Sequence, residues 1–430
     1  MKLQNLLHPS RSWRVRHWRK RLSGKSVQPP EATKNKRENS CILPKLLDAE
    51  TISRFLTHEY GFSLKRLPVE ISGGIESAVW SVKTDQGDWV VKVFESRAVV
   101  LEQAKAEVRL YEYLNDHGLR APVVKRTRRD ESVARLVTLN GEFPVLLMRL
   151  ERLRKCTPGN ITAPELMEIA RTAARIHEEL QNYPDKAQLF DLLSQPPATD
   201  AYVRFLASPL SAQLTGAELA ELEATSQKMV AYVSQKPPRP ALSKTMLHGD
   251  FTLEHAQFLS DGAIYLFDFA DRSWGPLAYG LAVPLAHFYS SDDISFARWE
   301  ELRSWFLEGY ASAHELTKDD RAGLDPALII RLLNEIAYLS DKARGGDGRI
   351  DALSLKRRFE LANYLLRDFA SNGASRSEKS FPLYQWLISF FGGSAAFSLW
   401  RIHEDRFMPT NATPEGGLAV NAIRDPVFSI

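Results

Sequence analysis

The stretch "LHGDFTLEHAQFL" (247–259) places Asp250 directly after a His-Gly pair, with a second histidine, His255, five residues further on. A carboxylate in so tight a loop can accept a hydroxyl proton or orient a nucleophile. Asp268 follows eighteen residues later, directly after the run "AIYLF". A strand-end carboxylate across a hairpin from Asp250 can hold Mg²⁺, which binds through a few carboxylates together with phosphate oxygens. Upstream, Lys92 in "WVVKVF" is flanked by Val90, Val91, Val93 and Phe94, where an ammonium costs free energy unless it finds a partner. Glu107, fifteen residues on, can supply that carboxylate, and such a pair turns the lysine toward the α/β phosphates of a nucleotide. Earlier still, "SGGIESAVWSV" carries Gly73, Gly74 and Ser77. The two glycines let backbone N–H groups approach phosphate oxygens without a Cβ in the way. Each feature alone has an ordinary reading: a hairpin turn, an edge-strand lysine facing water, an aspartate capping a turn. In this order they are what a nucleotide-dependent phosphotransferase needs.

The elements that position these residues change character along the chain. "LPKLLDAETISRFLTHEYGF" (43–62) has helical spacing and stops at Gly61. "LPVEISGG" and "SAVWSVKTDQGDWVVKVFE" read as strands split by the turn "DQGD". Residues 98–118 form a helix, and two more strands flank the turn at Asn140–Gly141. From about residue 160 the pattern is helical, apart from a hairpin in 245–270 turning at Asp261–Gly262. The expected fold is therefore α+β and two-lobed, with a small antiparallel β N-lobe and a mainly helical C-lobe. The boundaries are a basic arm at 1–42, an N-lobe at 43–150, a helical lobe at 151–372 and a C-terminal extension at 373–430.

Composition narrows the class. The 430 residues are 44% hydrophobic and 25% charged, ordinary for a soluble globular chain. Cys41 and Cys156 lie too far apart for a disulfide framework or a cysteine zinc site, and fit a reducing, cytoplasmic compartment. The net charge of +3 hides an asymmetry: residues 1–40 hold eleven Lys or Arg against Glu31 and Glu38. That arm, "SRSWRVRHWRKRLSGKS" included, reads as a solvated tail. Its mix of Trp and Arg also suits a membrane interface, nucleic acid or a mitochondrial-type presequence. Residues 380–400 carry no charge, yet Gln385, Gly392, Gly393 and several serines interrupt them. They read as a docked helical hairpin, with peripheral membrane contact through this segment or the arm as the other reading. No specific nucleic-acid partner is expected.

Taken together, "SGGIESAVWSV", "VVKVF", the helix around Glu107, "ARIHEEL", "HGDFTLEHAQFL" and "LFDFADRSWGPLAYGLA" resemble the aminoglycoside phosphotransferase/choline kinase-like branch of the protein-kinase-like fold. The resemblance covers about residues 65–370. It implies Asp250 as catalytic base, His248 as a brace for its loop, and Asp268 as a Mg²⁺ ligand. Lys92 and Glu107 would position ATP (or GTP), and the main chain near Leu147–Leu150, Met148 included, would form the adenine-binding hinge. His177 would be structural packing. Two departures stand out. Where the family has an Asn metal ligand five residues after the base, this chain has His255, preceded by Glu254. Where the family has the Asp of an Asp-Leu-Ala motif, this chain has Gly280-Leu281-Ala282, losing a bond that ties the loop to the helical lobe; Asp271 or Glu254 are the nearby residues to compensate.

The expected activity is Mg²⁺-dependent transfer of a γ-phosphate to a small-molecule hydroxyl, since no Ala-Pro-Glu-type activation segment follows Asp268. Residues 201–372 hold 18 basic and 23 acidic residues, which favours a neutral or cationic acceptor. Two rivals are a protein Ser/Thr kinase of the stress-response type, for its Gly275-Pro276, and a catalytically impaired nucleotide-binding pseudokinase, for His255 and Gly280. A two-metal hydrolase built on His248, Asp250, His255 and Asp268 is rejected, because Lys92 and the glycine turn would go unexplained.

Overall fold

The computed structural model describes residues 47–71, 77–94, 98–192, 197–234, 242–291 and 294–367. Gly73, Gly74, the basic arm and the segment 380–400 therefore lie outside the described residues.

Helix α1 (Ala49–Tyr60) begins where the Asp48 carboxylate accepts the Thr51 N–H at 2.7 Å, a cap worth about 1 kcal/mol. Next come β1 (Val69–Ile71), β2 (Ser77–Thr84), β3 (Gly87–Phe94), α2 (Ala98–Asp116), β4 (Ala134–Thr138) and β5 (Gly141–Arg149). The five strands form one antiparallel sheet in the order β1-β2-β3-β5-β4. Strand periodicity then decides which side chains go where. Val91 and Val93 of β3 join Ile52, Phe55 and Leu56 of α1 in one core, whereas Phe94 joins Ala104 and Val108 of α2 in another. Lys92, between Val91 and Val93, therefore faces α2.

The second lobe holds α3 (Ala163–Leu180), β6 (Phe190–Asp191), α4 (Ala201–Ala207), α5 (Gly216–Ser234), β7 (Lys244–Leu247), β8 (Ala256–Phe258), β9 (Ile264–Leu266) and β10 (Ser273–Pro276). Helices α6 (Leu277–Ser291), α7 (Phe296–Ala311), α8 (Lys318–Arg344) and α9 (Ala352–Leu365) complete it. The expected hairpin is β8–β9, with Leu259 N–H donating to the Ala263 carbonyl at 2.8 Å around Asp261–Gly262. Sequence patterning missed a second sheet, β6-β10-β7. Its strands are two to four residues long, too short for alternation to register. This sheet is what delivers the site: the loop after Leu247 leaves β7, and β10 leads straight into α6. A bond from Leu266 N–H to the Arg120 carbonyl at 2.9 Å joins β9 to the segment after α2.

Candidate active site

Lys92 is 7% exposed and Glu107 1% exposed. The lysine Nζ donates to Glu107 Oε1 at 3.1 Å and Oε2 at 3.4 Å, and to Asp268 Oδ1 at 3.1 Å. One ammonium from the sheet thus joins a carboxylate of α2 to the carboxylate that follows β9. Burial opposes the charged lysine, but the two carboxylates prevail and raise its pKa. Burial likewise opposes the Asp268 carboxylate, and the Lys92 ammonium and His255 beside it hold its pKa below the usual value. Asp268 adopts φ +64°, a left-handed conformation that Asp tolerates better than most side chains.

Sequence reasoning missed Tyr111. Its hydroxyl donates to Glu107 Oε1 at 2.5 Å and accepts the Asp268 N–H at 3.2 Å, so it clamps both carboxylate-bearing segments. The available signal was its spacing: residues i and i+4 share one helix face, and Tyr111 stands four after Glu107. Tyr111→Phe is expected to cost about 1–3 kcal/mol, because Glu107 and the Asp268 amide lose a buried partner. Chemical denaturation measures it, and a change within about 0.5 kcal/mol would refute the clamp.

The loop around Asp250 is braced by its own histidines. His248 is 2% exposed; its Nε2 is 3.1 Å from the Phe267 carbonyl and its Nδ1 accepts the Asp250 N–H at 3.3 Å. That pattern requires the neutral ring protonated on Nε2. Burial, then the nearby His255, pushes the ring pKa down to about 4, so neutrality holds at pH 7. Between His248 and Asp250, Gly249 takes φ +85° and sits so close to the next loop that a Cβ would strike the Asp271 backbone carbonyl. His255 Nδ1 lies 2.8 Å from the Asp250 carbonyl and 3.3 Å from Asp250 Oδ2. Nδ1 donates to that carbonyl, and Nε2 lies 3.9 Å from Asp268 Oδ2. Glu254 is exposed, and its carbonyl accepts from Gln257 Nε2 at 2.5 Å.

Other expected residues sit at the margins. Ser77 pairs with Phe94 where β2 meets the end of β3. Met148 lies inside β5, in register with Val90 on one side and bridged to Val124 on the other. Beside it, Lys125 N–H takes the Leu147 carbonyl and Arg149 N–H donates to Val123. His177 is buried on α3, its Nδ1 2.9 Å from the Tyr310 hydroxyl. Burial drives its pKa down to about 3. The unfolded chain therefore binds a proton that the folded chain refuses between pH 6.5 and about 3, so this residue's contribution is lost as pH falls through that window. Stability should decline on acidification, and His177→Gln should flatten the decline; denaturant midpoints from pH 7 to 4.5 test this. An equal slope in both proteins would contradict it.

Residues 69–323 match the model of the phosphotransferase enzyme family. Homoserine kinase of Granulibacter bethesdensis is 24% identical over 280 residues, covering 64% of this chain and 80% of that protein. Among solved structures, spectinomycin phosphotransferase in complex with ADP and spectinomycin aligns with a TM-score of 0.58 at 15% identity, covering 76% of this chain and 99% of that one. A microcompartment-associated aminopropanol kinase aligns at 0.57 and 17%, covering 75% and 98%. The fold is the two-lobed kinase-like one that the motifs implied, and the chain belongs to the phosphotransferase enzyme family.

Proposed function

We propose that this protein transfers the γ-phosphate of ATP or GTP to a hydroxyl of a small molecule, with Asp250 as the base. The observation that carries this reading is the three-way contact of Lys92 with Glu107 and Asp268, at 3.1 Å to each. It fixes one cation between the sheet and helix of the first lobe and Asp268 of the second, and such a cation can meet triphosphate charge. Asp250 accepts the acceptor's hydroxyl proton as the oxygen attacks phosphorus, and the nucleoside diphosphate leaves with the electrons of the broken P–O bond. His248 keeps the Asp250 backbone in place through its ring. The main chain near Leu147–Leu150 would meet the adenine, with Met148 in register between Val90 and Val124.

A divalent cation here would draw on two protein donors, since no cluster of three or more His, Cys, Asp or Glu ligands occurs among the described residues. Asp268 Oδ1 is engaged by Lys92, while Oδ2 and His255 Nε2 face each other at 3.9 Å. A carboxylate oxygen alone suits Mg²⁺, and the added imidazole nitrogen suits Mn²⁺ better. When bound, such a cation neutralises phosphate charge. The names of a sequence relative, a homoserine kinase, and of a structural neighbour, an aminopropanol kinase, support a small hydroxyl acceptor.

The test is a thermal-shift series with ATP, GTP and ADP, with and without Mg²⁺ or Mn²⁺, followed by γ-phosphate transfer to a panel of homoserine, aminopropanol, choline, sugars and aminoglycosides. Metal-dependent stabilisation by a triphosphate and phosphate on a panel hydroxyl are expected. A metal-independent nucleotide shift with no transfer would overturn the catalytic reading, and phosphate found only on a peptide library would overturn the small-molecule acceptor.

A further inference from the structure

We propose that Arg331 is the positioning residue that ties the Asp250 loop to the helical lobe, a proposal that rests on Asp250 being the base. Arg331 stands near the middle of α8, 82 positions beyond the loop. Its Nη1 donates to the Gly249 carbonyl at 3.2 Å, and its Nη2 lies 3.7 Å from Asp250 Oδ1. The guanidinium therefore grips the loop by its backbone and faces the reacting carboxylate with a second nitrogen.

The guanidinium is itself held. Its Nε donates to Glu335 Oε1 at 2.5 Å, and Glu335 Oε2 accepts from Arg358 Nε of α9 at 2.6 Å. Arg358 in turn donates to the carbonyl and hydroxyl of Ser354, each at 2.8 Å. The three side chains are 20%, 13% and 12% exposed. An exposed i,i+4 pair of this kind is worth a few tenths of a kcal/mol and fixes little. Here the pairing is mostly shielded from water and occupies the guanidinium's third nitrogen, so the two terminal nitrogens are aimed rather than free to swing. Two arginines around one glutamate leave one positive charge toward Asp250. Helix α8 is registered to the loop's other side as well: the Asp320 carboxylate in its first turn accepts the Ser243 N–H at 2.9 Å and hydroxyl at 2.8 Å, just before β7.

The packing also explains why the tether comes from α8. At Gly280 of α6 an added Cβ would stand 2.8 Å from Leu247 Cδ2 and 3.3 Å from the His177 ring. A side chain there would have to shift the end of Leu247, the residue from which the loop departs. The Cβ position at Gly280 is bounded by apolar and aromatic atoms, and the bond to the loop is made by a cation of α8.

A base must sit within hydrogen-bonding reach of its proton, and about 1 Å of misplacement costs about a hundredfold in rate. The experiment compares wild type, Arg331→Met, Arg331→Lys and a control, Arg204→Met, which removes an ion pair between α4 and Asp341 elsewhere on α8. Amide hydrogen exchange is followed in peptides covering 248–255, alongside steady-state kinetics with the nucleotide varied. Arg331→Met should speed exchange in the loop about tenfold, the equivalent of one charged hydrogen bond. It should lower kcat about ten- to a hundredfold with the KM for nucleotide little changed. Arg331→Lys, which keeps a cation in reach of the Gly249 carbonyl, should recover part of both. Arg204→Met should leave loop exchange as in wild type. Loop exchange unchanged in Arg331→Met, or equally raised in Arg204→Met, overturns the proposal whatever the activity. A loosened loop in a protein that transfers no phosphate keeps the tether and fails the phosphotransferase reading instead. Should Arg331→Met not fold, the same exchange comparison on Arg331→Lys decides, with a loop as protected as in wild type counting against the tether.

Discussion

Asp250→Asn is expected to cut γ-phosphate transfer by about 10²- to 10⁴-fold, the range supplied by a positioned base. Nucleotide affinity should stay within about threefold, or less than about 1 kcal/mol. The substitution is nearly isosteric, and the loop does not depend on the carboxylate for its shape. His248 Nδ1 accepts the backbone N–H of residue 250, His255 Nδ1 meets its carbonyl, and Arg331 holds the preceding Gly249 carbonyl. Lys92, proposed above to meet the nucleotide, pairs with Glu107 and Asp268. Single-turnover transfer from γ-labelled ATP, set beside a thermal-shift titration of the same protein, separates the two effects. Transfer within tenfold of wild type would remove Asp250 from the role of base.

The second large effect belongs to Lys92. Lys92→Met leaves Glu107, 1% exposed, with its carboxylate facing that of Asp268 and no ammonium between them. Removing one partner of a buried ion pair costs about 3–5 kcal/mol, because the remaining charge stays desolvated. The variant should lose about that much stability and also lose metal-dependent stabilisation by triphosphate. A double variant, Lys92→Met with Glu107→Leu, separates the two losses. With both charges gone the site becomes an apolar contact between β3 and α2, and stability should return in part while nucleotide response does not. Denaturant unfolding of the three proteins reads this directly. A double variant no more stable than the single one would show that the uncompensated charge is not the cause.

Much of this centre was legible because its members advertise themselves locally. A lysine among valines in an alternating run must either find a partner or face water, and the helix covering that face of β3 leaves Lys92 only 7% exposed. Glu107 was a carboxylate on the following helix that could answer it, and the structure pairs the two. The Asp261–Gly262 turn placed a hairpin between Asp250 and Asp268, and that hairpin is present. Where reading failed, the signal was too short or too distant. Strands β7 and β10 have four residues each, and their pairing joins segments far apart in the chain. Asp271 and Glu254 were the candidates to compensate for Gly280 because they are close in sequence. The side chain that reaches the loop from the helical lobe is Arg331. Its one local mark was a charged pair with Glu335, four residues apart in the apolar run "LIIRLLNEIAYL".

By itself the sequence determined the two-lobed α+β plan and the order of Lys92, Glu107, Asp250 and Asp268 along it. Those features follow from hydrophobic periodicity, turn residues and the cost of burying a lone charge, all of which act over a few residues. Only the tertiary structure decided that Tyr111 clamps Glu107 to the Asp268 backbone, and that His255 turns its Nε2 toward Asp268. It alone filled the space at Gly280 with Leu247 and His177, and brought Arg331 across from α8. These are contacts between segments that meet only once the sheet and helices have packed. Hydrogen-bond geometry and close packing select them, and neither leaves a period in the sequence.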